Sequence, residues 1–254
     1  SVGQTTTANI TAKALTVSGI TALDKGYNGN ATATLDTSLI NYGGLVSGDT
    51  LTGSFSGVFN NQHVGTGKPV AITSSYGGTD RNNYDITDQA STTADITKRA
   101  LVFSTFSASD KIYDGNNSVV TNSTISGFVG SETLGHNLVA TFDNKNVGSS
   151  KVVSVNNITL SNGINGGLAS NYSIATGQTT TANITAKPLS VSGITTSNKV
   201  YDGNTVATLN TGGVTYTGLI GGDVFNGTYT GAFSDKNVDT GKTVTITPSY
   251  TGAD

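Results

Sequence analysis

The sequence predicts an all-β protein built of tandem repeats, and three observations carry that expectation. First, a short element recurs as Lys25-Gly26-Tyr27-Asn28-Gly29-Asn30, Lys111-Ile112-Tyr113-Asp114-Gly115-Asn116 and Lys199-Val200-Tyr201-Asp202-Gly203-Asn204, its tyrosines 86 and 88 residues apart. Self-similarity at a fixed period marks repeat architectures. Second, short apolar–polar alternations such as Ala8, Ile10, Ala12 are bounded by Gly, Asn and Asp turn signals, the pattern of half-buried strands. Third, apolar spacing of about 3.6 residues never persists long enough for a helix. The expected architecture is a set of tandem β-sandwich repeats, immunoglobulin-like in general form and stacked as an elongated rod. A β-grasp-like repeat with fewer strands is the alternative.

The repeat boundaries follow from a second recurrence. Thr5 to Lys13 reappears identically as Thr179 to Lys187, with the variant Ser91 to Lys98 between them. This assigns residues 1–13 to the closing strand of a preceding repeat, 14–99 to repeat 1, 100–187 to repeat 2 and 188–254 to repeat 3, which lacks its last strand. With no Met, the sequence reads as a piece of a longer chain. At each boundary the alternation changes parity, from Ile10 to Leu15 and Val17, from Ile96 to Leu101 and Phe103, and from Ile184 to Leu189 and Val191. A slip of one residue moves side chains to the other face of a sheet. One strand is therefore expected to close a repeat and the next to open its neighbour with almost no linker. Pro188 falls at such a flip, where a missing N–H does not interrupt a central ladder.

Inside each repeat the Tyr-Asp-Gly-Asn element is a turn, because Gly accepts positive φ and Asp or Asn bonds nearby backbone. A Gly–acid turn follows at Gly48-Asp49, Ser131-Glu132 and Gly222-Asp223. Aromatic strands end at Phe59, Phe142 and Phe233, each five residues before Val64, Val147 and Val238. Strands through Val70-Ile72 and Val244-Ile246 lead on; Asn83-Tyr84-Asp85-Ile86 and Asn171-Tyr172-Ser173-Ile174 match each other further along.

Composition excludes several classes. Charged residues make up 11% of the chain and the net charge is −3, while Val, Ile, Tyr and Phe recur in register with the repeat. That favours an ordered β protein with an uncharged polar surface over disorder. With no Cys there are no disulfides, thiolate metal sites or Cys nucleophile, which suits an exported chain. No apolar run approaches the roughly 20 residues of a bilayer span, so no membrane insertion is expected. No basic cluster points to nucleic acid.

Candidate chemistry is sparse, and no enzyme is expected. His63 and His136 do not occupy matching positions; His63 aligns with Asn146 and Asn237 and reads as a solvated loop residue. Tyr113, Asp114, Tyr201 and Asp202 are candidate glycan contacts, though a Tyr beside a turn more often packs its ring on the sheet edge and bonds its hydroxyl to backbone. Calcium takes about six to eight oxygens, and Asp49, Asp114, Glu132, Asp202 and Asp223 are spread too thinly for a dedicated cage. Each complete repeat also offers the groups of an autocatalytic Lys–Asn isopeptide: Lys25, Asn83 and Asp49, then Lys111, Asn171 and Glu132. Such a bond needs a buried acid to deprotonate the lysine. Repeat 3 should also expose a sheet edge that residues 1–13 of another molecule fill by strand addition.

Taken together and in order, Lys199-x-Tyr201-Asp202-Gly203-Asn204, Asp235-Lys236-Asn237-Val238-x-Thr240-Gly241-Lys242, Asn171-Tyr172-x-Ile174 and Thr180-Thr181-Ala182-x-Ile184-Thr185 resemble the YDG repeat of large exported bacterial proteins, many of them similar to filamentous-haemagglutinin-type adhesins. The resemblance implies a stalk or spacer of a secreted cell-surface adhesin, its neighbours being further repeats. The alternative is that the repeats themselves bind glycans or host matrix proteins. Repeat 1 departs from the pattern at Asn28 and at Asn60-Asn61-Gln62-His63.

Overall fold

The alternating apolar residues of the sequence become the ladders of an all-β structure with several small sheets in each repeat. The computed structural model describes residues 3–252. In repeat 1, strand Lys13–Ser18 lies between Asn41–Gly43 and Tyr84–Thr87. A second sheet has the order Lys25–Gly26, Ser91–Thr97, Gly65–Gly77, Thr52–Phe59, Thr32–Ala33. Because side chains alternate along a strand, Leu15 and Val17 point inward onto Ile20, Ile72 and Tyr84 between the sheets. Phe59, Val70, Ala94 and Ile96 bury a second cluster around Tyr27. Among the described residues the helical turns are short 3-10 segments, Arg81–Asn83 and Ala169–Asn171.

The topology departs from the immunoglobulin expectation. Lys13–Ser18 runs parallel to Tyr84–Thr87, and Ser91–Thr97 runs parallel to Lys25–Gly26. Repeat 2 repeats both pairings, Arg99 against Tyr172 and Lys111 against Ile184. Immunoglobulin sheets are antiparallel. Parallel neighbours need a long crossover, and here most of a repeat's length supplies it. The expected parity flip between Ile96 and Leu101 is present, both being buried, and beyond Ile184 it continues in the half-buried Leu189 and Val191; at the first boundary Ile10 is exposed and in no strand, so no flip occurs there.

The chain divides into two compact units, and the division passes through repeat 2. One unit holds the residues up to Ser104 with Ile125–Asn137 and Ile158–Ala175; the other holds Thr105–Thr124, Leu138–Asn157 and the residues from Thr176 on. In the second unit Phe142, Val153, Ala182 and Ile184 form a core, with Phe106 and Tyr113 packed against it. Repeat 3 contributes a sheet of order Val206–Ala207, Phe225–Phe233, Val244–Gly252.

Residues 3–12, expected as a closing strand, form no ladder among the described residues, and all are exposed. Strand Lys13–Ser18 opens repeat 1 directly after them. The contrast with the identical segment at Thr179–Thr185 is one of partners, since that copy lies between Lys111–Ile112 and Gly148–Asn162. Ile184→Ala should therefore destabilise the chain by about 2–5 kcal/mol, as large-to-small core substitutions do. Ile10→Ala in dilute solution should leave it unchanged. Urea titration measures both, and equal losses would contradict the assignment.

Candidate functional site: the tyrosine–carboxylate junction

The recurring turn is built around its lysine. Lys111 Nζ donates to Asp114 Oδ1 (2.6 Å), Asn116 O and Oδ1 (2.8 and 3.0 Å) and Ser118 O (3.0 Å). Lys199 makes the same four bonds to Asp202, Asn204 and Val206. Lys25 makes three, to Asn30 and Thr32, because Asn28 replaces the aspartate. Each ammonium also faces an aromatic ring at 5.7–5.9 Å, Phe59, Phe142 or Phe233, a favourable cation–π placement. The charged hydrogen bond from the lysine, with help from the Asn116 and Asn204 backbone, holds the Asp114 and Asp202 carboxyls below the ordinary carboxylate range. Loss of the Lys25 ammonium's hydration lowers its own value. A second lysine closes the later loop: Lys151 onto Asp143 and Asn144, Lys242 onto Asp235, and Lys68 onto Asn61.

With the lysine holding the turn, the tyrosine is directed onto the following repeat. Tyr27 donates its hydroxyl to Glu132 Oε1 at 2.6 Å, and Tyr172 donates to Glu132 Oε2 at 2.7 Å. Tyr27 and Tyr172 are each 1% exposed and meet edge to face, their ring centroids 5.4 Å apart. One carboxylate thus accepts from a tyrosine of its own repeat and from the signature tyrosine of the repeat before. In the second unit Tyr113 donates to Asp223 Oδ1 at 2.9 Å. Lys145 lies 3.9 Å from the same oxygen and 5.9 Å from the Tyr113 ring centre. Repeat 1 shows the acceptor half by itself, with Tyr84 donating to Asp49 Oδ2 at 2.6 Å.

The Gly–acid turn aims the carboxylate. Its closing bonds are Asp49 N to Val46 O, Glu132 N to Val129 O and Asp223 N to Ile220 O. The Val46 and Val129 amides donate in turn to the Tyr84 and Tyr172 hydroxyls. The signature glycine is required twice over. Gly29 and Gly115 have φ of 78° and 81°, which L side chains avoid. A Cβ there would also lie 2.7 Å from Val129 Cγ1 and 2.8 Å from Ile220 Cγ2 of the next repeat. Gly203 has the same φ of 79° but open space around it.

Sequence reasoning singled out several of these residues for other roles. The isopeptide groups are otherwise engaged: Lys25 and Lys111 sit in their turns, Asp49 and Glu132 accept from tyrosines, and Asn83 is exposed in a 3-10 turn. Asn171 is fully buried, accepting from Val64 N at 3.1 Å and placing Nδ2 3.2 Å from His63 Nδ1. His63 is thus half-buried at the junction, not a solvated loop residue. The tyrosine hydroxyls bond a carboxylate of the next repeat, not local backbone. Tyr201, by contrast, is 58% exposed. At the second junction Tyr113, Val147, Leu189, Ile220, Asp223 and Phe225 line a cavity of about 520 Å³. Tyr172 fills the corresponding place at the first junction, packed among Tyr27, Leu101, Val129 and Leu134.

Together these features define a class of protein: a β-repeat chain whose signature motif is a coupling device between neighbouring repeats. The chain belongs to the YDG domain family, which matches it three times, over residues 11–94, 97–182 and 185–254. No curated protein and no solved structure matches it.

Two predictions follow from the junction geometry. Gly203→Ala should cost about 1–2 kcal/mol for the left-handed backbone alone, whereas Gly115→Ala adds about 1–3 kcal/mol of overpacking against Ile220. Urea titrations compare them, and equal losses would remove Ile220 from the account. Burial pushes the Tyr27 hydroxyl up to about 12, with the hydrogen bond and charge of Glu132 adding to it. A raised value means the junction's stabilisation is complete below the ordinary tyrosine range near ~10 and is lost as pH rises through about 12. Circular dichroism against pH should show Tyr27→Phe losing less stability than the parent across that window. Parallel curves would locate the alkaline sensitivity elsewhere.

Proposed function

We propose that this chain is a structural spacer of a secreted bacterial cell-surface adhesin, its repeats coupled end to end to project a binding tip. The observation that carries the reading is the engagement of the signature tyrosines. Tyr27 and Tyr113 are bonded to the carboxylates of the following repeats, so the most regular feature of the sequence serves repeat-to-repeat coupling. The lysine-held turns and the mixed ladders suit a module that resists being pulled apart, since load along the chain meets backbone hydrogen bonds. Among the described residues no three potential metal-ligating side chains cluster. The sandwich-like stacking of such repeats into an extended stalk is part of the same proposal.

One observation favours a second reading, in which the repeats themselves bind glycans or host matrix. Tyr201 is exposed beside Asp202, and a cleft of about 680 Å³ runs from it past Phe233, Lys236 and Asn237. An exposed ring edged by amides and a carboxylate is a suitable face for a sugar. We expect the purified chain to give no saturable binding across a panel of glycans and extracellular-matrix proteins. Saturable binding that falls when Tyr201 is replaced by Ala would overturn the spacer reading in favour of the second.

A further inference from the structure

The signature turn is complete in repeats 2 and 3 and lacks one group in repeat 1. In the complete turns the lysine donates to the aspartate Oδ1, at 2.6 Å from Lys111 to Asp114 and 2.8 Å from Lys199 to Asp202. It does so while keeping its bonds to the asparagine and to the carbonyl beyond it. In repeat 1 the amide of Asn28 replaces the carboxylate. Its Oδ1 holds the same place, since it accepts from Asn30 N at 3.3 Å as Asp114 and Asp202 accept from Asn116 N and Asn204 N at 3.2 and 3.1 Å. Lys25 Nζ keeps the other acceptors, Asn30 O, Asn30 Oδ1 and Thr32 O, so its ammonium is anchored within reach of the Asn28 oxygen. Asn28 is exposed, and Gly29 after it lies outside the ladders, between Lys25–Gly26 and Thr32–Ala33. An asparagine side-chain carbonyl is open to attack by the next backbone nitrogen, and glycine hinders that approach least because it has no Cβ and a permissive backbone.

We propose that Asn28-Gly29 is a self-modifying site, at which Lys25 promotes deamidation of Asn28 to aspartate with water as the co-reactant. Gly29 N bonds to Asn28 Cγ and its proton passes to water. The Cγ–Nδ2 bond breaks, and that nitrogen takes a proton from water and leaves as ammonia. The cyclic imide then takes up water at Cγ, the bond from Cγ to Gly29 N breaks, the nitrogen regains its proton and a carboxylate remains. In both steps negative charge develops on Asn28 Oδ1, and a donor aimed at developing charge lowers the barrier. The Lys25 ammonium is that donor, as Lys111 and Lys199 are to the carboxylates in the same place. It also directs the opening. Water attack on the backbone carbonyl of the imide gives an isoaspartyl chain, longer by a methylene, whereas attack at Cγ restores the ordinary peptide. The aspartyl product gives Lys25 the fourth bond that Lys111 and Lys199 have. It also keeps Gly29, with φ of 78°, seated against Val129 beside the bond from Tyr27 to Glu132. The inference concerns the covalent chemistry of the turn and holds whether or not the chain is a spacer.

Three further Asn-Gly pairs are internal references. Asn162 Oδ1 accepts from Ala169 N, Asn165 Nδ2 donates to Ser131 O, and Asn226 lies in the ladder of Phe225–Phe233. The folded chain is aged in mildly alkaline buffer and mapped by peptide mass spectrometry, with electron-transfer fragmentation separating aspartyl from isoaspartyl products. We expect Asn28 to convert ahead of the three references and mainly to aspartyl, whereas the same chain aged in urea gives mainly isoaspartyl at position 28. Lys25→Gln should slow the conversion about tenfold or more, and Lys25→Arg, which keeps the charge, should restore part of it; circular dichroism checks that both remain folded. Where Lys25→Gln does not fold, the comparison of folded and urea-treated parent chain decides. An Asn28 amide that outlasts the reference pairs overturns the proposal. So does a folded chain that yields isoaspartyl in the urea proportion, or a folded Lys25→Gln variant that converts as fast as the parent.

Discussion

A carboxylate held between tyrosine hydroxyls is the constraint on which the rest of the repeat depends. Glu132 is half-buried and accepts from Tyr27 and Tyr172 through separate oxygens. Hydrogen bonds to a charged group contribute about 1.5–3 kcal/mol, and leaving such a group without partners costs at least as much. Surface ion pairs such as Lys111–Asp114 contribute about 0–1 kcal/mol. The two sets of contacts therefore differ in kind. The lysines fix the shape of a turn, while the acid fixes the relation between one repeat and the next. Both tyrosine bonds must form for Glu132 to be satisfied, so packing within repeat 2 and docking of repeat 1 support each other. Burial strengthens that coupling, because a hydrogen bond shielded from water is electrostatically stronger.

The two junctions reach the same result with different groups. At the first, the longer Glu132 takes two tyrosines, and the position that holds Lys145 in repeat 2 is Gln62. His63 and Val64 instead engage the buried Asn171. At the second, the shorter Asp223 takes one tyrosine and lies within ion-pair distance of Lys145. Where Glu132 has a second tyrosine donor, Asp223 has a nearby cation at ion-pair distance instead. Burial and the carboxylate together push the hydroxyls of Tyr113 and Tyr172 upward, the same response at both sites. Repeat 1's departures from the motif also find an explanation here. Asn28 still bonds the Asn30 amide through its side chain, preserving the turn while giving up the ion pair to Lys25.

Much of the fold was legible because its causes are local. Strand ends at Phe59, Phe142 and Phe233, the turns at Gly29, Gly115 and Gly203, and the parity flip between Ile96 and Leu101 follow from alternation and turn chemistry over a few residues. The parallel pairings were not legible, since nothing near Lys25 reveals that its partner is Ile96. The site was half legible for the same reason. Tyr27, Glu132 and Asn171 all stood out in the sequence, but the first two bond each other across 105 residues and two different motifs. Within repeat 2 alone Glu132 falls into one set with Lys111, whereas the Lys111 ammonium is held by its own turn. The usable signal was present: each repeat carries one regular tyrosine in a turn and one regular acid in another, and both have unmet hydrogen-bonding capacity unless they meet.

That arrangement also explains why the motif has a direction. Every repeat offers a tyrosine forward and a carboxylate backward, so the surface that docks differs from the surface that receives. A self-complementary contact would pair two repeats and stop. A heterologous one leaves an unused half at each end and sets no limit on number. Repeats joined in this way must keep the junction constant while the surface between junctions varies, because each contacts only its neighbours. The spacings of 86 and 88 residues meet that condition: chain length changes by two residues, while the bond from Tyr27 to Glu132 and that from Tyr113 to Asp223 are both made. The glycine beside each tyrosine enforces the same rule sterically. At Gly29 and Gly115 the next repeat lies where a side chain would otherwise begin, so the motif is shaped by its neighbour as much as by its own turn.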